Sequence, residues 1–77
     1  MEDKLQKLLD ELIEGQKEKV LKCGRAFVPR LTGDDALQPN DYPELENNPH
    51  FRYEEGILAG LQSAQAAINA LLKEETL

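Results

Sequence analysis

Seventy-seven residues with one cysteine, one histidine and a formal charge of −6 leave few function classes open. Cys23 has no second cysteine to pair with, and His50 alone cannot assemble a histidine-based metal centre. A single core of this size rarely supplies more than about 3–5 kcal/mol without a disulfide, a metal or a partner chain. Association is the staple that remains.

The charge is uneven. Residues 1–30 carry +1 and residues 31–77 carry −7. Phosphate backbones reward clustered Lys and Arg, so a chain this acidic is poorly suited to nucleic acid. The one basic stretch is Lys17, Lys19, Lys22, Arg25 and Arg30, and acidic groups of the connection that follows are its expected partners. No apolar run approaches the roughly 18 residues of a membrane span. The start, Met1-Glu2-Asp3-Lys4, lacks the basic and apolar blocks of a signal peptide. The expectation is one domain, 1–77, in a reducing, cytoplasmic setting.

The first segment reads as a helix over about residues 2–27. Leu5, Leu8, Leu9, Leu12 and Ile13 recur at the three- and four-residue spacing of one helical face. Gln16, Val20, Cys23 and Phe27 continue that face. Gly15 is a soft spot, and Gly24 is a weak point or a C-terminal stop. Pro29 disfavours helix at Val28.

Residues 29–48 read as irregular, with turn chemistry at Pro39-Asn40-Asp41-Tyr42-Pro43 and Asn47-Asn48-Pro49. Thr32-Gly33-Asp34-Asp35 can cap one helical turn around Asp34–Leu37. Leu31, Leu37, Tyr42, Leu45 and Phe51 are spaced through the stretch as anchors. A structureless connection this long is uncommon in a compact domain, so it is expected to be ordered against the helices.

The second helix is expected over about 49–73. Asn48 suits the N-cap and Pro49 the first helical position. Glu54 and Glu55 lie near its positive end and Lys73 near its negative end. It carries two stripes. Ile57, Leu61, Ala64, Ile68, Leu71 and Leu72 are large or apolar, and Gly56, Gly60, Ser63, Ala67 and Ala70 are small. Gly56-x-x-x-Gly60 has the form of a membrane dimerisation motif, but Glu54, Glu55, Gln62, Gln65 and Asn69 exclude a lipid setting. Small residues at this spacing serve close packing of another helix, within the chain or between chains.

Catalytic readings do not converge. His50 and Glu54 share a face, but structural zinc needs four ligands. Asp34, Asp35, Asp41, Glu44 and Glu46 lack the pattern of a calcium loop. Cys23 has cations nearby but falls on the apolar face, where cysteine packs as a small hydrophobe. In the varied run Phe51-Arg52-Tyr53-Glu54-Glu55, the aromatic residues are read as anchors and Arg52 as the partner of a carboxylate.

These observations predict an all-α fold, an antiparallel hairpin that pairs into a four-helix dimer. The function read from them is a non-enzymatic protein–protein interaction module without cofactors. The chain would be an adaptor, chaperone-like binder or small regulator. Its interface candidates are Leu8, Leu12, Gly56, Gly60, Leu61, Ser63, Ala67, Ile68 and Ala70. Alternatives are a subunit of a larger assembly with a missing partner, and, further off, a nucleic-acid-associated regulator using the basic stretch 17–30.

Overall fold

The structure, a computed structural model, describes residues 2–36 and 42–75. Two long helices, α1 (Glu2–Phe27) and α4 (Pro49–Glu75), pack antiparallel. Between them lie two single-turn helices, α2 (Gly33–Ala36) and α3 (Pro43–Glu46). The described residues contain no strand.

Each boundary has a local cause. The Val28 N–H closes on the Gly24 carbonyl at 2.8 Å, and Pro29 then ends α1. Asp35 and Thr32 cap α2 reciprocally. The Asp35 N–H donates to Thr32 Oγ1 at 3.2 Å, and the Thr32 N–H donates to Asp35 Oδ2 at 3.3 Å. These bonds from Thr32, with a further one from Tyr42, hold the Asp35 carboxyl below its ordinary range. At α4 the Phe51 N–H donates to Asn48 Oδ1 at 3.0 Å, which makes Asn48 the N-cap as expected.

The connection is irregular as expected, and the single turn α3 is an addition not expected from the sequence. Pro43 occupies its first turn, where a missing N–H costs nothing. The expected ordering holds where the connection is described. Leu31 and Leu45 are fully buried and Tyr42 packs against the core, whereas Leu37 lies outside the described residues. Two arginines clasp this segment to the long helices. Arg25 Nε donates to the Leu31 carbonyl at 2.7 Å, and Arg52 Nε donates to the Glu46 carbonyl at 2.9 Å. The expected charge match between the basic stretch and the acidic connection is seen at Arg30, whose charge helps to lower the Asp35 carboxyl, but not at Arg25 or Lys17. Arg25 meets a carbonyl, and Lys17 pairs with Glu14 of its own helix at 3.3 Å.

The core sits at the connection end. Phe51, Leu31 and Leu45 are its largest fully buried side chains, joined by Ile13, Val20, Val28, Ala36 and Leu58. Gly24 is what admits them. A Cβ there would collide with Leu31 Cδ2 and stand 3.1 Å from Phe51 Cε1. The glycine is therefore a close-approach site in mid-core, neither a soft spot nor a stop. Alanine at Gly24 should cost about 1–3 kcal/mol by overpacking, against a gain of about 1 kcal/mol in helix propensity. The net expectation is a lower melting temperature for Gly24→Ala. The same substitution at Gly15, where nothing lies within 4 Å of the new methyl, should raise it.

Candidate interaction surface

The seam of α1 runs through Leu9, Ile13, Gln16 and Val20, all buried. The seam of α4 runs through Phe51, Leu58, Leu61, Gln65, Ile68 and Leu72, each buried or half-buried. Phe51, Leu58, Gln65 and Leu72 follow one another at seven-residue intervals, the repeat of two helices that keep one line in contact. Polar groups within the seam are satisfied. The Gln16 amide donates to the Glu54 carbonyl at 2.8 Å and to its carboxylate at 3.1 Å. Toward the open end, Gln65 donates to Asp10 at 2.8 Å.

Of the large stripe marked by the spacing, Leu61, Ile68 and Leu72 lie half-buried in this seam, whereas Ile57, Ala64 and Leu71 are exposed. Leu58, absent from that stripe, is buried. At about 100° per residue the seam is rotated by roughly 60° from the centre of the large stripe. Phe51 sets the rotation. Once its ring is docked against Gly24, the residues seven and fourteen further along must face α1. On α1, Leu8 and Leu12 are likewise exposed, and Phe27, expected on the buried face, is open to solvent.

The rotation puts the leftover apolar side chains on one flank. On α1, Leu8 and Leu12 fall to one side of the seam and Asp10 to the other. On α4, Ile57, Ala64 and Leu71 fall to one side, with Gln62, Asn69 and Lys73 on the other. Antiparallel packing makes the two apolar sides coincide. Leu8 is 53 %, Leu12 47 %, Ile57 36 % and Leu71 54 % exposed. The opposite flank is occupied near the connection, where α2 covers Leu21. A groove of about 280 Å³ opens there between Val20, Leu21, Ala36 and Leu58, edged by Glu14, Lys17, Glu18 and Asp34.

The remaining interface candidates divide between two settings. Leu61 and Ile68 are half-buried at the edge where seam and apolar flank meet. Gly56, Gly60, Ser63, Ala67 and Ala70 are exposed; by helical rotation Gly60 and Ala67 lie at the outer margin of the apolar flank, and Gly56, Ser63 and Ala70 point away from α1. The small stripe thus takes no part in packing within the hairpin. Nothing lies within 4 Å of a Cβ at Gly56 or Gly60. The hairpin alone gives no reason for two glycines that cost about 1 kcal/mol each in a helix interior. Leu5, half-buried beside Leu8, extends the flank, and the sequence already marked it by spacing.

His50, Arg52 and Cys23 stand in separate surroundings among the described residues. Among the described residues no group of three or more His, Cys, Asp or Glu is placed to hold a metal ion. His50 is exposed on the first turn of α4. Arg52 is used structurally, its guanidinium 2.7 Å from Glu55, while Tyr53 is 69 % exposed and anchors nothing. Cys23 is half-buried, and burial, aided by the negative charge of Glu54, pushes its thiol up from the ordinary value. The lysine and arginine nearby do not activate it. No protein family, curated protein or solved structure matches the chain.

A raised thiol pKa makes the reactive thiolate scarce at neutral pH. Cys23 should react with a disulfide reagent at pH 7.5 several-fold more slowly in the folded chain than in denaturant, measured as the labelling rate. Equal rates would show that neither burial nor Glu54 shields it.

Proposed function

We propose that this chain is a non-enzymatic protein–protein interaction module that acts through its apolar flank and pairs into a four-helix homodimer. The observation that carries the reading is the gathering of Leu8, Leu12, Ile57 and Leu71 on one side of the hairpin, all exposed. A contiguous exposed apolar patch on a small chain usually marks an interface. A two-fold dimer is the commonest way to cover one, and four helices around a shared core is a standard result.

Chemistry argues against the other classes. Acid–base or nucleophilic catalysis needs groups that converge, and His50, Cys23 and the carboxylates are spread over different faces. Binding to a phosphate backbone needs a basic surface. Here Lys17 is paired with Glu14, and Arg25 holds the connection. No helix among the described residues is long and apolar enough to cross a membrane. An adaptor, chaperone-like binder or small regulator in a reducing cytoplasm fits a lone shielded thiol and a docking face without chemistry of its own.

Sedimentation equilibrium at micromolar concentration tests the reading. The expected mass is twice the 8.7 kDa of the chain. Leu12→Glu, at an exposed position, should leave helicity intact and return the mass to that of one chain. A wild-type monomer that is folded and heat-stable would overturn the proposal.

A further inference from the structure

We infer that the two copies meet through the apolar flank with both long helices antiparallel to their counterparts, about a two-fold axis at the height of Ala64 of α4 and Asp10 of α1. The inference rests on the self-association proposed above and specifies its geometry. The starting point is the register of the hairpin. Gly24 of α1 faces Phe51 of α4. Fourteen residues away along each helix, Asp10 meets Gln65 at 2.8 Å. Ala64 and Asp10 therefore stand at nearly the same height along the hairpin, within about a residue's rise.

Both helices present a pattern on the exposed flank that is symmetric about that height. On α4, Ala64 points straight out from the flank. The pairs equidistant from it are Leu61 with Ala67, Gly60 with Ile68, and Ile57 with Leu71. On α1, the pairs equidistant from Asp10 are Leu8 with Leu12 and Leu5 with Gly15. A two-fold axis at this height, perpendicular to the helices and lying in the plane of the contact, superposes each residue on its equidistant mate in the second copy. Large then meets small at three of these pairs: Leu61 on Ala67, Ile68 on Gly60, and Leu5 on Gly15. Ala64 meets itself, so the α4 helices can approach closely at the axis. Leu8 meets Leu12, and Ile57 meets Leu71, which closes the contact on either side. Interdigitation of large with small side chains is how helical cores reach native density. The open space found around Gly15 and Gly60 is the space that the partner's Leu5 and Ile68 fill. Gly56 lies off this flank, and the geometry gives it no role.

Charge and area select a second copy as the occupant. A chain of charge −6 repels its own kind unless the meeting surfaces carry none. Between Glu55 and Lys73, α4 holds no charged residue, and Leu5, Leu8, Leu12 and Gly15 supply an uncharged stretch on α1 that ends before Lys19. Overlap of α4 from Tyr53 to Glu75 with its mate is about 33 Å long. Across a hairpin 18 Å wide, it covers roughly 600 Å² per copy. The total of about 1,200 Å² reaches the lower edge of stable, specific interfaces. The axis lies nearer the open end of the hairpin, so each connection projects beyond the partner's termini, and α2 and α3 stay clear of the contact.

Cysteine cross-linking tests the axis. In a Cys23→Ala background, Ala64→Cys should form an intermolecular disulfide under mild oxidation. Ile57→Cys should cross-link efficiently when mixed with Leu71→Cys and poorly alone. Ser63→Cys, beside Ala64 in sequence but on the far side of α4, should stay reduced. Sedimentation of the reduced proteins is run alongside. A dimer whose Ala64→Cys does not cross-link, or whose Ile57→Cys links to itself, overturns the axis while leaving self-association standing. A reduced wild-type chain that is monomeric overturns both, including where a different protein occupies the flank.

Discussion

The whole arrangement depends on one missing methyl group. Gly24 is buried in the middle of the core, and its bare Cα is the floor on which Leu31 and the Phe51 ring rest. Any side chain there would have to displace the Leu31 side chain and press on the Phe51 ring. With them seated, Leu45 closes the cluster from α3 and Ala36 from α2. A chain with a single cysteine thereby gains a compact apolar knot at one end of an otherwise slender hairpin. Arg25 and Arg52 hold the backbone of that knot by donating to carbonyls six residues away.

The consequences reach the other end of the molecule through rotation alone. A helix is stiff, so docking Phe51 fixes the azimuth of every later residue of α4. Leu58 and Leu72 turn inward, and Gln65 takes the seam position between them, bonded to Asp10. Ile57, Ala64 and Leu71 turn outward. The same hairpin with α4 rotated by about 60° would bury the larger stripe and expose Phe51 and Leu58. The seam accepts two polar side chains, Gln16 and Gln65, each satisfied by a hydrogen bond, in exchange for the better knot at the connection. Apolar surface displaced from the seam becomes the flank on which the proposed function rests. Sequence, core packing and interaction are thus linked by a single angular setting.

Much of this was legible in the sequence, and the misses share a physical cause. Both long helices, the Asn48 cap and the Thr32 cap are set by local chemistry within a few residues, and local chemistry can be read from the chain. The burial of Leu31, Leu45 and Phe51 followed from spacing alone. What spacing could not give was the azimuth of α4, because helix periodicity defines stripes without saying which stripe a distant ring selects. Ile57 and Leu58 are adjacent and equally apolar, and only the contact of Phe51 with Gly24 decides between them. Gly24 itself looked like a helix breaker, since close approach is a property of what comes to meet it from elsewhere in the chain. The turn at Pro43–Glu46 was hidden by the surrounding prolines and asparagines, although Pro43 is itself a good first residue for a helix.

The central claim is that the flank left open by this rotation is covered by a second copy, and that the coverage stabilises the fold. Thermal unfolding followed by circular dichroism over a hundredfold range of protein concentration addresses it most directly. A folded dimer that unfolds to separate chains gains stability by mass action. The melting temperature should therefore rise with concentration, and substitution of Leu12 by Glu should abolish the rise. A wild-type melting temperature that is independent of concentration would contradict the account.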